Sequence, residues 1–270
     1  MADERVALVT GAGGTLGRVM TLALLRSGVK VVLTAQTEEG LADLITESGV
    51  SAGCAIAVPA DLNEESDIER LLGAARTAFG RIDVLINNAA LMSEHLWPEF
   101  VAGGNPLPWT IDPVIYSRSL NINVVAPHIL AAAVLPDMIE RRWGRIINIT
   151  TSLDTMLRGW PYGSTKAALE AYTANLATGL ENTGVTANVL IPGGLTRSEP
   201  LRDATGKIIR NALSPEIMAR PAAWLASDAS NGVNGRRFIA ARWDIAKPDV
   251  SAWEAASMPV GWTGSGQIVL

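Results

Sequence analysis

Tyr162 and Lys166 are the two residues of this sequence best suited to moving a proton. They lie four positions apart at the start of a helical pattern, so their side chains share one face of the helix. A free phenol has a pKa of about 10, which is too high for a general base near neutral pH. A neighbouring ammonium group favours the phenolate and lowers that pKa. The pair could therefore take a proton from an alcohol or donate one to an alkoxide.

The segment TGAGGTLG, residues 10–17, follows an apolar strand pattern and opens a helical one. Glycine permits a tight turn and a close approach of backbone to phosphate, and a helix N-terminus supplies free N–H groups with a partial positive charge. A glycine string alone is a weak signal, and a strand–helix connection without a ligand is the competing interpretation. Placed between a strand and an amphipathic helix, this string predicts a dinucleotide site.

The turn after the second predicted strand bears on which dinucleotide would bind. An acidic residue there would bond the ribose 2′-hydroxyl of NAD, and a nearby arginine would hold the 2′-phosphate of NADP. Residues 34–37 read Thr-Ala-Gln-Thr and contain neither type. No carboxylate repels a 2′-phosphate and no cation attracts it, so the sequence favours NADP over NAD by a small margin, with Gln36 as the contact.

Apolar β-branched runs alternate with helical patterns along the chain, which indicates βαβ units. The predicted strands are Val6–Val9, Val29–Thr34, Gly53–Val58, Val84–Asn87, Arg145–Thr150, Thr186–Ile191 and Arg237–Ala240. The predicted helices are Leu16–Ser27, Glu38–Ser48, Glu64–Phe79, Ile115–Arg141, Tyr162–Thr183 and Pro215–Ser227. We therefore expect an α/β fold with a Rossmann-type, doubly wound, mostly parallel sheet of seven strands and helices on both faces. Ligands bind beyond the carboxyl ends of such strands, where both motifs fall.

The length and composition favour a single domain over residues 1–270, with a core at 5–243 and an irregular tail at 244–270. The chain is 48% hydrophobic and only 18% charged, which suits a sheet buried on both faces. The stretch from Glu94 to Pro113 has no clear period and is expected to form a long loop, a common place for function. His95 lies in it as a speculative substrate contact.

Several classes of protein are poorly supported by this sequence. The net charge of −5, without a basic block, argues against nucleic-acid binding. One cysteine, Cys54, and two histidines, His95 and His128, argue against a disulfide, a metal site and a Ser-His-Asp hydrolase. The charged N-terminus and the short apolar stretch of residues 124–135 predict neither a signal peptide nor a membrane span. A soluble, cytoplasmic protein is expected.

Taken together, the motifs resemble the short-chain dehydrogenase/reductase family, in its main reductase branch. The segments that carry the likeness are Thr10–Gly17, Asp61-Leu62, Asn87–Ala90, Asn123, Tyr162-x3-Lys166 and Pro192-Gly193. They occur in the family's order and cover about residues 5–243. The resemblance implies an NAD(P)-dependent oxidoreductase that interconverts a carbonyl and a secondary alcohol on a small or medium organic molecule. Hydride would come from the nicotinamide and the proton from Tyr162.

The family likeness also implies the catalytic residues: Tyr162, Lys166, Ser152 and Asn123. Lys166 would also reach the nicotinamide ribose, and Asn123 would bind a water that links Lys166 to solvent. The substrate-binding hydroxyl is the open position. Counting back thirteen residues from Tyr162, the usual family spacing, gives Ile149, which has no hydroxyl. A shortened loop would give the role to Thr151, which strand alignment favours, or to Ser152, which residue type favours and which we predict.

A further set of residues is implied to contact the cofactor. It comprises Gly11, Gly14, Thr15, Leu16, Gly17, Gln36, Asp61, Leu62, Asn88, Ala89, Ala90, Tyr162, Lys166, Pro192, Gly193, Leu195 and Thr196. Asp61 would accept from the adenine amino group, and Thr196 would bind the carboxamide from one position earlier than usual. Ala90 and Thr15 replace family glycines. The spacing Gly11-x2-Gly14-x2-Gly17 also fits the epimerase-like branch, but little chain remains after Gly193 for that branch's substrate domain.

Two other functions share this fold, a non-catalytic NAD(P)-binding regulator and a structural subunit beside an active paralogue. The intact Tyr162/Lys166 pair favours an enzyme, whereas the uncertain serine leaves room for the others. The resemblance also implies a homodimer or homotetramer, packed through the helices Ile115–Arg141 and Tyr162–Thr183. The second helix is rich in small residues, namely Ala167, Ala168, Ala171, Ala174 and Ala177. An alanine-rich helix that only covers its own sheet is the competing interpretation.

Overall fold

The computed structural model describes residues 4–51, 53–92, 107–197 and 212–262, and the backbone of residues 201–202 and 208–210. Ten strands are present in this part of the chain. They are β1 Val6–Thr10, β2 Lys30–Thr34, β3 Ala55–Ala57, β4 Val84–Asn87, β5 Gly144–Ile149, β6 Val185–Ile191, β7 Leu201–Arg202, β8 Ile208–Arg210, β9 Arg236–Ile239 and β10 Ser257–Pro259. Eight of them form one sheet in the order β10-β9-β6-β5-β4-β1-β2-β3, and β7 pairs with β8.

Helices cover both faces of the sheet. They are α1 Thr15–Arg26, α2 Leu41–Ser48, α3 Glu65–Phe79, α4 Pro113–Leu120, α5 Ala126–Glu140, α6 Leu153–Arg158, α7 Tyr162–Gly179, α8 Ala219–Leu225 and α9 Asp249–Ala256. A π-helical segment, Asn121–Val125, joins α4 to α5, and 3-10 turns occupy Pro108–Thr110, Pro215–Met218, Asp228–Ser230 and Ala240–Arg242.

Alternate residues of the central strands enter two separate cores, one on each face of the sheet. Val9 and Ile86 belong to the core that packs against α1 and α8. Leu8 and Leu85 point the other way, into the core formed with α3 and α5. Because both faces are covered, strands β1, β4, β5 and β6 are buried at every position. This is the expected doubly wound α/β fold.

The register brings the carboxyl ends of the central strands to one edge. Thr10 of β1 lies beside Thr34 of β2, and Asn87 of β4 lies beside Asn148 of β5. The Asn87 side chain donates to Asn148 Oδ1 at 2.8 Å, which ties β4 to β5. The loops after β1, β4, β5 and β6 therefore begin close together, at the edge where a ligand binds in this fold.

The predicted count of seven strands is wrong by one. The eighth strand, β10, comes from the tail that the sequence left irregular, and it pairs antiparallel with β9 at the sheet edge. It has three residues and ends in Pro259, a residue that lacks a donor N–H and is confined to edge strands. The strand was missed because a short run with proline carries no period-two pattern. The helix α9 in the same tail was missed as well.

Other elements also differ from the prediction. The third predicted strand begins at Ala55 and not at Gly53, which has a φ of +89°. The helix α6 was not predicted, because it has only six residues with two exposed leucines, Leu153 and Leu157. The predicted helix Ile115–Arg141 is interrupted by the π segment.

One helical stretch is apolar enough to cross a membrane by length and composition. It is the run Pro113–Glu140, with a mean hydropathy of 1.6 over its most apolar window, 39% of which is buried. Its inward residues, such as Leu130 and Val134, lie in the core under the sheet. A core helix passes the same test, so this stretch is weak evidence for a span, and the absence of a membrane partner stays a prediction.

Candidate active site

The glycine turn between β1 and α1 leaves room for a ligand to approach its backbone. Gly11 has a φ of +64°. A Cβ placed on Gly17 would lie 2.1 Å from the Gly11 carbonyl oxygen, so only glycine fits there. The helix begins after Gly14 without a side-chain cap and without an acidic residue in its first turn. The first N–H groups of a helix have no partner within it, and such groups can bind an anion.

Hydrogen bonds of Thr10 and Asn88 fix the turn to the segment that follows β4. The Asn88 amide nitrogen donates to the carbonyl oxygens of Thr10 and Gly11 at 2.9 and 3.0 Å. Thr10 Oγ1 accepts from the backbone N–H groups of Asn88 and Ala89, both at 3.0 Å. The side chain of Asn88, predicted to contact the cofactor, is thus used to shape the turn.

A cavity of about 180 Å³ opens beside the glycine turn. It is lined by Gly11, Thr34, Ala35, Gln36, Ala60, Asp61, Leu62, Ala89, Ala90, Leu91 and Ile122. The structure therefore brings together six predicted contacts: Gly11, Gln36, Asp61, Leu62, Ala89 and Ala90. The Gln36 amide donates to Asp61 Oδ2 at 3.1 Å across the cavity. The volume and the mixed lining suit a nucleoside.

Arg118 of α4 lies at the rim of this cavity. Its guanidinium nitrogen is 3.7 Å from Asp61 Oδ2, and its side chain is half exposed. No cation was predicted near the 34–37 turn, because Arg118 is far from it along the chain. It is the positive group that the turn itself lacks, although Asp61 already offsets its charge.

Tyr162 and Lys166 share a face of α7, as predicted. The Lys166 nitrogen lies 5.7 Å from the centre of the Tyr162 ring and donates to the Ile149 carbonyl oxygen at 2.8 Å. The Lys166 side chain is fully buried, and this burial lowers its pKa to about 7. A buried ammonium with one protein acceptor keeps two donors for a ligand.

Asn123 lies in the π segment and is completely buried. Its Oδ1 accepts from the Leu91 N–H at 2.8 Å, and its Nδ2 donates to the Leu91 carbonyl and to Thr165 Oγ1 at 3.1 and 2.8 Å. The side chain therefore cross-links the segment after β4 to the first turn of α7. Asn121 donates to Asn63 Oδ1 at 3.3 Å on the surface.

The two candidate hydroxyls, Thr151 and Ser152, directly follow β5. Ser152 is the N-cap of α6, where its Oγ accepts from the Thr155 N–H at 3.1 Å and contacts Thr155 Oγ1 at 2.9 Å. The Thr151 carbonyl accepts from Arg237. Both hydroxyls remain candidates for the substrate oxygen, and Ser152 stays the prediction.

The segment after β6 contains the last predicted contacts, Pro192, Gly193, Leu195 and Thr196. Gly193 has a φ of +96°, and a Cβ there would lie 2.7 Å from Ile239 Cγ2, so glycine is required. Leu195 accepts from the Leu213 N–H at 2.8 Å. Thr196 Oγ1 donates to the Gly194 carbonyl at 3.0 Å, which holds this segment in a compact turn.

An aromatic pair lies beside Tyr162 and was not predicted. The rings of Tyr116 and Trp160 are 4.9 Å apart between centroids. The Tyr116 hydroxyl also contacts Ser164 Oγ at 3.3 Å, which ties α4 to the first turn of α7. The position of Trp160 two residues before Tyr162 was the available signal in the sequence.

A buried ion pair, Glu170 with Arg237, was missed as well. Glu170 is 1% exposed and Arg237 8% exposed, and their side chains form a salt bridge. The sequence offered two signals: Glu170 is one turn beyond Lys166 on the same face of α7, and Arg237 lies inside a strand of a sheet that is buried on both faces.

The remaining expectations concern His95, a metal site and Cys54. His95 lies outside the described residues. Within the described part of the chain, no group of three or more His, Cys, Asp or Glu side chains could hold a metal ion, and Cys54 is a free thiol.

The fold and the site together define a dinucleotide-binding α/β protein. Residues 5–205 match the family profile described as short chain dehydrogenase. The chain belongs to this short-chain dehydrogenase family and is an NAD(P)-binding oxidoreductase. The resemblance found in the motifs is thus confirmed.

Two relatives of the chain carry dehydrogenase names. A short chain dehydrogenase of Pseudocercospora fijiensis is 32% identical over 71% of this chain, and the match spans 60% of that protein's length. Fluoren-9-ol dehydrogenase of Terrabacter sp. is 30% identical over 94% of this chain and 76% of its own length.

Solved structures with nicotinamide cofactors share the fold. A metagenomic short-chain oxidoreductase in complex with NADP is 29% identical, with a TM-score of 0.66 over 82% of this chain and 90% of that one. The 3-ketoacyl-(acyl-carrier-protein) reductase of Brucella melitensis complexed with NADH is 25% identical, with a TM-score of 0.69 over 85% and 93% of the two chains. The cofactor class is therefore a nicotinamide dinucleotide.

Proposed function

We propose that this enzyme interconverts an apolar, ring-bearing ketone and its secondary alcohol, with Tyr162 as the group that exchanges the proton. The observation that carries the proposal is Lys166, a fully buried amine beside the Tyr162 ring with donors to spare. A buried, unpaired cation is costly for a fold. Such groups cluster where their charge is used in catalysis.

The residues present fit the nicotinamide dinucleotide of the family. The glycine turn and the uncapped start of α1 would hold its phosphates, and the cavity with Gln36 and Asp61 would hold its adenosine. Pro192, Gly193, Leu195 and Thr196 would lie against the nicotinamide. When bound, this group supplies or accepts the hydride.

The chain's own part in the reaction is to position the substrate oxygen and move a proton. Ser152, or Thr151, would donate a hydrogen bond to that oxygen. A Lys166 ammonium would favour the Tyr162 phenolate over the phenol. Tyr162 then donates its proton to the oxygen during reduction and takes it back during oxidation. Asn123 holds the segment after β4 against α7 and would keep a water between Lys166 and solvent.

The apolar side chains close in sequence to Tyr162 and Ser152 support this substrate class. The rings of Tyr116 and Trp160 pack together near the start of α7, with centroids 4.9 Å apart and planes tilted by 33°. Leu153 and Leu157 are exposed on α6, which begins after Ser152. Aromatic side chains favour flat, apolar ligands. The relative named for fluoren-9-ol, a tricyclic secondary alcohol, fits the same description. NADP is the preferred cofactor in this proposal, because no carboxylate occupies residues 34–37.

Replacing Tyr162 by phenylalanine tests the proton transfer. Tyr162→Phe removes only the hydroxyl, so kcat should fall by about 10²–10⁴-fold, the usual contribution of general acid–base assistance. The dissociation constant for NADPH, from a fluorescence titration, should stay within a few-fold of the parent. Tyr172→Phe is the matched control on the same helix, because the Tyr172 hydroxyl contacts His128 instead.

A panel of ketones and alcohols then tests the substrate class. Fluorenone and other polycyclic ketones should give a higher kcat/KM than small polar ketones. Full activity in Tyr162→Phe would exclude the assigned proton donor. Tight cofactor binding without turnover on any member of the panel would favour a non-catalytic regulator or a structural subunit over an enzyme.

A further inference from the structure

Three consecutive residues at the end of β5 are held by three charged side chains. Lys166 donates to the Ile149 carbonyl at 2.8 Å. Thr150 Oγ1 donates to Glu170 Oε2 at 2.9 Å, and Arg237 donates to the Thr151 carbonyl. The next residue, Ser152, begins α6. The segment that carries both candidate hydroxyls therefore leaves the sheet along a path set by this network.

Two of these charged side chains, Glu170 and Arg237, form an ion pair between elements that are distant in sequence. Glu170 lies on α7 and Arg237 on β9. In the sheet, β6 separates β9 from β5, so the Arg237 side chain spans a neighbouring strand to reach the Thr151 carbonyl. One guanidinium thus joins β9, α7 and the end of β5 beneath the site.

Stability alone is a weak reason for such a pair. Two buried charges lose their hydration, and apolar side chains of similar size often give an equally stable fold. The pair does something that apolar side chains cannot do, since it binds a backbone carbonyl and a hydroxyl in fixed directions. It also occupies the Glu170 carboxylate, which lies one turn from Lys166 on the same helix face and would otherwise be a partner for that amine.

We propose that Glu170 and Arg237 are positioning residues for the reaction, which fix the end of β5 so that the hydroxyl of Thr151 or Ser152 faces the substrate oxygen. This inference rests on the proposed function. Neither residue touches the reacting atoms. A displacement of about 1 Å in a positioned group can lower a rate by about 10²-fold, so the pair should act on kcat.

The test replaces Arg237 and compares the result with a buried pair elsewhere. Arg237→Met should lower kcat by about 10–100-fold, expressed per cofactor-binding site counted by NADPH titration, with the NADPH dissociation constant changed less than about 3-fold. Arg237→Lys should recover part of the loss. Asp83→Asn is the control. Asp83 is fully buried and bonded to Arg81 and Arg141, and it lies before β4, at the amino ends of the central strands. It should cost stability but leave kcat per site within about 3-fold.

An apolar double variant separates positioning from folding. Glu170→Leu with Arg237→Met removes both charges together and should fold, yet it should lose as much kcat as Arg237→Met alone. Parent-like kcat per site in the double variant, or an equal loss in Asp83→Asn, would overturn the inference. Failure of the proposed function would look different, since Tyr162→Phe would then keep its activity whatever the Arg237 variants do.

Discussion

A cation is buried at each end of the central strands, Arg145 at their amino ends and Lys166 at their carboxyl ends. The fold satisfies the hydrogen-bond donors of these two side chains to different extents. At the amino edge, Arg145 at the start of β5 makes four hydrogen bonds, to Gly144, Ser227, Ser230 and Asn231, and stacks 4.1 Å from the centre of the Trp143 ring. Burial lowers its pKa to about 10, so the guanidinium stays charged at neutral pH. At the carboxyl ends of the strands, Lys166 has one acceptor among the described residues, the Ile149 carbonyl, and a pKa of about 7.

The difference separates a structural charge from a chemical one. Arg145 uses four of its five N–H donors within the fold. Lys166 is equally buried but is left with donors that the protein does not use, at a cost in stability. A similar contrast holds for the buried carboxylates: Asp83 joins neighbouring segments at the amino edge, whereas Glu170 and Arg237 hold the peptide from which a candidate catalytic hydroxyl projects.

Removing each cation in turn should give opposite results. Lys166→Met should lower kcat by about 10²-fold or more, without loss of stability near pH 6. Arg145→Met removes the hydrogen bonds to Gly144, Ser227, Ser230 and Asn231 and should cost on the order of 2–3 kcal/mol in the free energy of unfolding, with kcat per site unchanged. Denaturant unfolding and steady-state kinetics check both variants. Equal losses of stability would show that the two cations play the same role.

The pH dependence of stability should carry the signature of Lys166. In the unfolded chain its pKa returns to 10.5, and in the fold it is about 7. Between these values the unfolded chain binds one more proton, so the parent's free energy of unfolding rises with pH in this window. Relative to Lys166→Met, that rise should reach up to about 1.4 kcal/mol per pH unit between pH 7 and 10. Unfolding curves of the cofactor-free proteins, measured at several pH values, would contradict the pKa if the difference stays flat.

Ala35→Asp tests the cofactor preference assigned to the cavity that would hold the adenosine. A carboxylate at this position would accept from the 2′-hydroxyl of NAD and repel the 2′-phosphate of NADP. The ratio of kcat/KM for NADPH over NADH should fall by about tenfold or more, equivalent to about 1.4 kcal/mol. Ala35→Asn is the uncharged control. A parent enzyme that already prefers NADH strongly would show that the absent carboxylate does not set the preference.

The outer face of α5 and α7 gives a prediction about assembly. Of the five alanines noted on α7, Ala177 is buried in the core and Ala174 packs near the tail, whereas Ala168 is exposed. We expect a homodimer or homotetramer through the remaining surface. Light scattering should give two or four times 28.5 kDa, and Ala168→Arg should dissociate it. Ala78→Arg on α3 is the matched control, and a monomeric parent would show that this face meets water.

The smallest expected effect belongs to Thr150. Thr150→Val keeps the shape of the side chain and removes one hydrogen bond to Glu170, while the salt bridge and the bond to the Thr151 carbonyl remain. Kcat per cofactor-binding site should fall by about 2–5-fold, and Thr150→Ser should restore it, because one hydrogen bond contributes about 1 kcal/mol. A loss as large as that of Arg237→Met would place the positioning effect in Thr150 and not in the ion pair.

The parts of the molecule that could be predicted are those encoded by neighbouring residues. The strands β1, β4 and β6, the glycine turn and the Tyr162/Lys166 pair each follow from a short pattern. The ion pair of Glu170 and Arg237 could not be derived, because its members are 67 residues apart and each has an ordinary surface interpretation. The position of Arg118 at the cavity rim could not be derived for the same reason, since Arg118 is far in sequence from Asp61 and from residues 34–37. The choice between Thr151 and Ser152 depends on how the chain turns after β5, which the network beneath it sets.

The π segment has a consequence for the length of the chain. It inserts one residue into the helical run, and each residue of a helix adds about 100° of rotation and 1.5 Å of rise. Deleting one residue from Asn121–Val125 would restore a regular helix, but it would rotate α4 relative to α5. Tyr116 would leave Trp160, and Arg118 would leave Asp61. Many exposed positions of this helix can therefore change their residue type, whereas the number of residues between Asp112 and Ala126 is fixed by the site on one side and the core on the other.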